Sequence, residues 1–336
     1  MTDLEAMWSA LDADPPAPSG LLLRRLNVPS FDVYLTQERP SRLLGFRVQI
    51  NDESGALWKE LRSSKGLDIE VQTRLGRDAT LMLTERDSRF HDIFAALVSN
   101  LVRGLELLGS QPADERPRSL DFLSSRITRW QACLRANRDG LSSERAAGLF
   151  GELSMMSALL DAGVDPIVTV DRWTGPLGAI QDFQFDRLAF EIKASRQTQP
   201  TNVRISSERQ LDDSTHDRLV LVHYALDERS DGSGVTLPSQ VAKIRAVLGQ
   251  GHAGMVFDDR LIDYGYLDVH APRYADRSYA VRSVDHFEVR DPMPRIVEND
   301  LPVGVGRVAY DLALSACEPC RLAAGEITAL FAEIDA

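Results

Sequence analysis

The sequence predicts a mixed α/β protein whose central part has the element order α-β-β-β-α-β. Three observations lead to this prediction. Apolar residues at helical spacing run from Ser143 to about Ala162. Two short apolar runs break at Asp186-Arg187, as in a hairpin. The almost continuous apolar run Arg218–Leu226 is typical of a buried strand.

The composition is that of an ordinary globular protein. The 336 residues are 43% hydrophobic and 26% charged, which favours a substantial core and two or three domains. No apolar run approaches the ~20 residues that span a bilayer, and the acidic N-terminus lacks the pattern of a secretion signal. The three cysteines give no disulfide framework. We therefore expect a cytoplasmic protein without a membrane segment.

Residues 1–110 are predicted to form a β-rich module closed by a helix. A short helix over Asp3–Leu11 is stopped by the proline-rich stretch after it. Apolar residues at helical spacing predict the closing helix over His91–Leu108. The strand-like runs between the two helices are Phe31–Leu35, Leu43–Ile50, Leu67–Thr73 and Thr80–Leu83. Contact with DNA, with a partner or with a second copy stays open for this module.

The polar, proline-containing stretch Gly109–Arg118 predicts a domain boundary. It places a central domain at 119–250 and a mixed α/β extension at 251–336. The central domain is also expected to contain a strand at Pro166–Asp171 and helices at Leu120–Asn137 and Pro238–Leu248. A further helix is expected to begin at Ser206 or Ser207. In the extension we expect strands at Leu261–Val269 and Tyr279–Val289 and helices at Asp311–Ala316 and Ala323–Ile334.

The hairpin Ile180–Ala194 places charged residues together. Side chains alternate faces along a strand, so Asp182, Glu191 and Lys193 share one face. Two carboxylates opposite each other repel, and a cation between them would relieve the repulsion. Oxygen ligands suit Mg²⁺ or Mn²⁺. The expected register pairs Phe185 with Leu188, Gln184 with Ala189, Phe183 with Phe190, and Asp182 with Glu191.

Asp182 followed by Glu191-Ile192-Lys193 resembles the PD-(D/E)XK nucleases, the restriction endonuclease-like superfamily. That pattern has an acidic residue on one core strand and Glu-x-Lys on the next. A preceding helix commonly carries another glutamate, and Glu152 stands in that place. The resemblance covers roughly Ser142 to Leu226 and is closest to bacterial PD-(D/E)XK motif proteins associated with phage-defence gene clusters. The proline that names the motif is replaced by Gln181.

The resemblance implies a restriction endonuclease-like fold and metal-dependent endonucleolytic hydrolysis of DNA in restriction or anti-phage defence. It implies that Asp182, Glu191, Glu152 and the backbone carbonyl of Ile192 bind Mg²⁺, with Mn²⁺ as a substitute. Lys193 would orient or deprotonate the nucleophile, or stabilise the charged phosphate. DNA is favoured over RNA from the family alone. A homodimer and a separate helicase or ATPase subunit stay open as partners.

The net charge of −12 argues against a general attraction to nucleic acid, but it leaves room for a local basic groove. Arg196, Arg204 and Arg209 follow the motif and are candidates for DNA phosphate contacts, because arginine suits bidentate contacts. Exposed surface arginine is the alternative for each of them. Gln210, on the next predicted helix, is expected to cap that helix or to lie on the surface, although the resemblance also allows a polar residue at this place to face the site.

Two other functions stay open. The protein could be a non-catalytic member of the same fold that acts as a binding or assembly subunit of a defence complex, or an acidic adaptor that mimics DNA. The charged hairpin face could equally be a solvated surface. Cys317 and Cys320 form a CxxC pair with no second pair or histidine partner nearby, so we expect reduced, structural thiols.

Overall fold

The chain divides into two compact units, residues 1–138 and residues 139–336. This differs from the three expected domains. The predicted helix after residue 119 belongs to the first unit, and the whole C-terminal part belongs to the same unit as the hairpin. The computed structural model describes residues 4–13, 19–51, 61–73, 78–111, 119–137, 139–196 and 201–334. Most of the predicted boundary at Gly109–Arg118 lies outside these residues.

The first unit contains a five-stranded antiparallel sheet in the order β1-β2-β3-β5-β4. Its strands are β1 (Gly20–Val28), β2 (Phe31–Arg39), β3 (Leu44–Asn51), β4 (Leu67–Thr73) and β5 (Asp78–Glu85). Its helices are α1 (Leu4–Ala13), α2 (His91–Ser110) and α3 (Ser119–Ala136). All of these were predicted except β1, whose sequence GLLLRRLNV lacks a clean alternation of apolar and polar residues.

Helix α2 is the core helix of the first unit. The segment Ser88–Ser110 is long and apolar enough to cross a membrane by length and composition, but 61% of its most apolar window is buried inside the structure. Burial of this kind is what the central helix of a globular unit shows.

The second unit is built on a mixed five-stranded sheet in the order β10-β11-β9-β7-β6, in which only β7 and β9 run parallel. Strands β8 and β12 form a separate two-stranded sheet. The strands are β6 (Phe183–Gln184), β7 (Leu188–Ser195), β8 (Asn202–Ile205), β9 (Arg218–Arg229), β10 (Val235–Thr236), β11 (Ser278–Glu288) and β12 (Tyr310–Ala313). The helices are α4 (Ser143–Asp161), α5 (Pro166–Asp171), α6 (Leu237–Leu248), α7 (His252–Tyr264) and α8 (Ala324–Glu333). The mixed α/β fold class is confirmed.

The predicted hairpin forms in the predicted register. Phe183 lies opposite Phe190 and Gln184 opposite Ala189. The Phe185 N–H donates to the Leu188 carbonyl at 2.8 Å, which closes the turn. The ladder then ends. Asp182 lies just outside β6 and its N–H donates to the Phe190 carbonyl at 3.1 Å, so the predicted pair of Asp182 with Glu191 is not part of the ladder.

The two faces of this sheet pack against different elements. Phe190 and Ile192 point into the larger core, on the side of α4, where a Cβ at Gly151 would lie 3.0 Å from the Ala194 Cβ. Ala189 points to the other side, into a smaller core with Leu221 and Phe287. Glu191 and Lys193 therefore share the face of Ala189, as the alternation of side chains requires.

Two predicted elements of the α-β-β-β-α-β order are different in the structure. Pro166–Asp171 is helix α5 and not a strand, because the Asp165 carboxylate caps its first N–H groups and Pro166 stands at the first helical turn. Instead of a first strand before β6, the structure has only an isolated antiparallel bridge between Trp173 and Phe183. The predicted helix from Ser206 or Ser207 is a series of turns.

Two predictions in the C-terminal part are also wrong. The predicted strand Leu261–Val269 covers the end of α7 and the start of a 3-10 helix. The predicted helix Asp311–Ala316 covers β12 and the start of the 3-10 helix Leu314–Cys320. The predicted strand at Tyr279–Val289 and the predicted helix at Ala323–Ile334 are present as β11 and α8.

Replacing Phe190 tests the core that carries the hairpin. Phe190 is fully buried and meets the rings of Phe185 and Phe331 edge-on, both at 6.1 Å. We expect Phe190→Ala to lower the free energy of unfolding by about 3–5 kcal/mol. Urea unfolding followed by circular dichroism measures the change, with the exposed Val247→Ala as control. A loss of less than about 1 kcal/mol would contradict this packing.

Candidate active site

Asp182 is held at the edge of the sheet by backbone groups on two sides. Its Oδ2 accepts a hydrogen bond from the Ile192 N–H at 2.7 Å. Its carbonyl oxygen accepts from the N–H groups of Thr174 and Gly175 at 2.8 and 2.9 Å. The Asp182 carboxylate thus accepts the hydrogen bond from β7 that a backbone carbonyl would accept if β6 were longer. Because the N–H and C=O of one strand residue point to the same side, the Ile192 carbonyl also faces the edge on which Asp182 lies.

Glu191 and Lys193 form an ion pair on the next strand. The distance from Lys193 Nζ to Glu191 Oε1 is 2.7 Å, and the side chains are 16% and 1% exposed. Lys193 Nζ also donates to Gln210 Oε1 at 3.2 Å, and the same oxygen accepts from the Ser206 N–H at 2.7 Å. Gln210 therefore both closes a turn and fixes the lysine, although the sequence favoured a cap or a surface position.

Glu152 reaches the same region from α4. It is buried, and its Oε2 accepts a hydrogen bond from the Trp173 indole N–H at 2.7 Å. Trp173 is fully buried beside Phe257, so it holds the glutamate in one position. The sequence prediction included Glu152 but missed Trp173, because nothing in the local pattern connects a loop tryptophan with a helix glutamate.

The backbone of Gly175 lies against two of the carboxylates. A Cβ at this position would lie 2.8 Å from Asp182 Oδ1 and 3.2 Å from Glu152 Oε2. A side chain at residue 175 would therefore push directly on the acidic groups. Sequence reasoning missed this residue as well.

Burial and mutual repulsion perturb the titration of the whole cluster. Burial raises the pKa of Asp182 to about 6, although the hydrogen bond from the Ile192 N–H opposes this shift. Burial raises the pKa of Glu191 to about 8, although Lys193 opposes the shift. Burial and the charge of Asp182 raise the pKa of Glu152 well above its usual value. Burial would lower the pKa of Lys193, but the charges of Glu191, Asp182 and Glu152 outweigh burial and raise it.

The donor set fits a divalent cation in its chemistry. Three carboxylates share the site with one lysine, so ionisation of all three leaves negative charge without a counter-charge. Asp182, Glu191 and Glu152 each use one oxygen in a bond to the protein, and the other oxygen of Glu191, Oε2, is buried without a hydrogen-bond partner. Within the described residues, no three His, Cys, Asp or Glu side chains form a ready-made metal site. A hard cation with oxygen ligands would satisfy the orphaned oxygen and the excess charge.

A groove of about 970 Å³ opens beside Lys193, and two of the three candidate DNA-binding arginines line it. Arg196 is bound to Glu228 at 2.5 Å, and Arg204 to Asp311 at 3.3 Å. Arg209 does not line the groove and is held by Glu298 through two hydrogen bonds of 2.8 and 2.9 Å. Arg196 and Arg204 therefore border the groove, but all three candidate arginines already have a carboxylate partner.

The same face of the sheet carries a polar row beyond Lys193. Ser195 Oγ lies 2.7 Å from His223 Nε2, and His223 Nδ1 lies 3.6 Å from Asp285 Oδ2. Burial lowers the pKa of His223, so its neutral form is favoured. The row connects β7, β9 and β11, and Ser195 also lines the groove. Sequence reasoning did not identify it.

The CxxC pair lies in the smaller core that also contains Ala189. Cys317 and Cys320 are buried free thiols at either end of one turn of a 3-10 helix. Burial raises the pKa of Cys317 to about 11, which disfavours the reactive thiolate. The pair thus has the structural, reduced character that the sequence predicted.

A comparison with protein families connects this geometry to known proteins. The model of the family DUF4420, described as "Putative PD-(D/E)XK family member", matches residues 4–315. The chain belongs to this family. The predicted resemblance to the PD-(D/E)XK superfamily is thereby confirmed, and the match extends well beyond the motif region. A search of curated proteins and a search of solved structures found no match.

The cluster of raised carboxyl pKa values predicts how the stability of this PD-(D/E)XK protein changes with pH. The folded chain holds a proton on Glu191 more tightly than the unfolded chain, because folding raises the pKa from 4.5 to about 8. This contribution to stability is complete below the unfolded pKa and is lost as the pH rises through the folded pKa. In EDTA, we expect the free energy of unfolding to fall by a few kcal/mol from about pH 5 to about pH 8.

Urea titrations across this pH range measure the effect. Glu191→Gln should make the fall clearly smaller, because glutamine does not titrate. Glu333→Gln, at a side chain that is 62% exposed, serves as the matched control and should leave the fall unchanged. An identical pH profile for wild type and Glu191→Gln would contradict the raised pKa of Glu191.

A methyl group at residue 175 tests the close approach of the loop. We expect Gly175→Ala to weaken Mn²⁺ binding by roughly 10- to 100-fold, because the added Cβ displaces Asp182 and Glu152. Calorimetric titration with Mn²⁺ measures it. Gly325→Ala is the matched control, since a Cβ there meets nothing within 4 Å. Unchanged Mn²⁺ affinity in Gly175→Ala would show that the loop does not shape the site.

Proposed function

We propose that the protein is a metal-dependent endonuclease that hydrolyses phosphodiester bonds in DNA. The observation that carries the proposal is the meeting of Asp182, Glu191, Glu152 and Lys193 in one buried cluster. Glu152 comes from helix α4, Asp182 from the residue before β6, and Glu191 and Lys193 from strand β7. Membership of the PD-(D/E)XK family supports a nuclease, and the groove beside Lys193 supports an extended substrate.

Each residue has a chemical role in this proposal. Asp182, Glu191 and the Ile192 carbonyl would hold Mg²⁺, and Glu152 would support it directly or through water. The metal ion, when bound, would lower the pKa of a water molecule and neutralise charge on the phosphate. Lys193 carries its positive charge next to Glu191, where it can orient the attacking water and stabilise the charged phosphate. Gln210 keeps the lysine in this position.

The groove supports the choice of a polyanionic substrate. Arg196 and Arg204 border it, and their guanidinium groups can exchange carboxylate oxygens for phosphate oxygens. Arg209 would join them only after release from Glu298. We further propose a cytoplasmic enzyme of restriction or anti-phage defence, a setting that the buried free thiols fit. DNA as substrate, self-association and a helicase or ATPase partner remain part of this proposal.

The two alternatives have less support. A non-catalytic subunit has no need to bury three carboxylates around a lysine at a cost in stability. A DNA mimic would present a continuous negative surface, whereas the groove carries Lys193, Arg196, Arg204 and Arg229 beside its acidic residues.

A plasmid-cleavage assay with Mg²⁺, Mn²⁺ or EDTA tests the proposal. We expect wild-type protein to nick or linearise DNA only with metal. Asp182→Asn keeps the shape of the side chain but weakens its hold on a cation, and Lys193→Met removes the charge. Each should lower the cleavage rate by at least about 100-fold.

Two exposed residues give matched controls for these variants. Asp186, in the turn of the same hairpin, is 82% exposed, and Lys243 is 56% exposed. Asp186→Asn and Lys243→Met should cleave like wild type. Cleavage that persists in Asp182→Asn or Lys193→Met would remove the assignment of that residue. Absence of cleavage by the wild type on both modified and unmodified DNA would favour the non-catalytic alternative.

A further inference from the structure

A second cavity lies within the first unit, apart from the acidic cluster. It has a volume of about 300 Å³ and is enclosed by α2, α3 and the residues around the start of β4. A volume of this size is at the low end of the range for small-molecule pockets. Its apolar walls are made by Phe90, Ile93, Phe94, Leu97, Trp130 and Leu134.

The polar groups of the wall are engaged away from the cavity. The indole N–H of Trp130 donates to Asn100 Oδ1 at 3.4 Å, so the tryptophan offers its ring to the cavity. The Gln131 side-chain amide donates to the Arg62 carbonyl at 2.9 Å. A ligand in this cavity therefore meets aromatic and aliphatic surface, and a polar body would lose hydrogen bonds with water there.

Two cations stand at the rim of the cavity. Lys65 and Arg135 both line it and are exposed, and neither has an ion pair or hydrogen bond within the described part of the chain. The nearby carboxylate of Asp68 is already bound by Ser63 and Arg86, at 2.7 and 2.8 Å. This contrasts with the groove of the second unit, where Arg196 and Arg204 are paired with carboxylates. Within the described residues, these two exposed cations at an apolar opening have no carboxylate partner, although the whole chain carries a net charge of −12.

We propose that this cavity binds a small amphiphilic anion. The ligand has an aromatic or aliphatic body that fills the apolar space and a carboxylate or similar anionic group that meets Lys65 and Arg135. A nucleotide fits less well, because the polar edge of its base would find few partners among these walls. The site is separate from the proposed nuclease centre and does not depend on it.

Titration of the full chain with 2-naphthoate and with its neutral counterpart 2-naphthamide tests the proposal. Calorimetry reports binding, together with the fluorescence of the four tryptophans, of which Trp130 lines the cavity. We expect saturable binding of naphthoate with one site per chain, and binding of naphthamide that is at least tenfold weaker. The double variant Lys65→Glu, Arg135→Glu should weaken naphthoate at least tenfold and leave naphthamide unchanged. Lys243→Glu, on an exposed lysine of the second unit, should change neither.

Substitutions that fill the cavity provide a second, independent test. Ile93→Trp or Leu134→Trp adds bulk to the wall and should abolish binding of both compounds, while the circular dichroism spectrum shows that the fold is kept. The proposal is overturned by any of three results. These are no saturable binding of naphthoate to the wild type, equal affinity for both compounds, and naphthoate binding that survives charge reversal or cavity filling.

Discussion

Like charges share a space with little water in the second unit, and the rest of that unit is arranged around this constraint. Asp182, Glu191 and Glu152 repel one another, and burial makes the repulsion stronger. One hydrogen bond or ion pair to each carboxylate offsets part of the cost: from the Ile192 N–H, from Lys193 and from the Trp173 indole. Proton uptake or a bound cation must offset the rest of the cost of burying these charges. The raised carboxyl pKa values express this unsatisfied charge.

The scaffold explains why the carboxylates cannot move apart. Strand β7 is paired with β6 on one side and β9 on the other, so Glu191 has a fixed place in the sheet. Helix α4 packs closely on β7 through Gly151 and fixes the position of Glu152. The C-terminal part belongs to the same structure, since β11 extends the sheet beside β9 and Phe331 of α8 meets Phe190. A site of this kind therefore requires the whole second unit.

Local pattern was enough to predict the hairpin and its register between Phe183 and Phe190, because strand alternation and the Asp186-Arg187 turn are properties of neighbouring residues. It was not enough for Pro166–Asp171, where β-branched residues favour a strand but the Asp165 cap and Pro166 start a helix. The predicted helix after Ser206 failed for a tertiary reason. Glu208, in this segment, accepts the N–H groups of Arg307 and Val308, which lie 99 and 100 residues away in sequence.

The candidate site shows the same division between local and distant information. Asp182, Glu191 and Lys193 could be predicted from spacing, and Glu152 only through the family resemblance. Trp173 and Gly175 could not be predicted, because their roles arise from a loop that approaches the sheet in three dimensions. Gln210 could be considered only through the family resemblance, because its bond to Lys193 arises from a turn. The partners of the arginines were also out of reach, since Glu298 lies 89 residues from Arg209 and Asp311 lies 107 residues from Arg204.

Calorimetric titration of the full chain with Mn²⁺ tests most directly whether the buried carboxylates form a metal site. The account predicts that the wild type and the turn variant Asp186→Ala bind Mn²⁺ with the same affinity. Asp182→Ala should bind Mn²⁺ at least about tenfold more weakly, because one of the proposed metal ligands is lost. Equal Mn²⁺ affinity in Asp182→Ala and the wild type, or no Mn²⁺ binding by the wild type, would contradict the account.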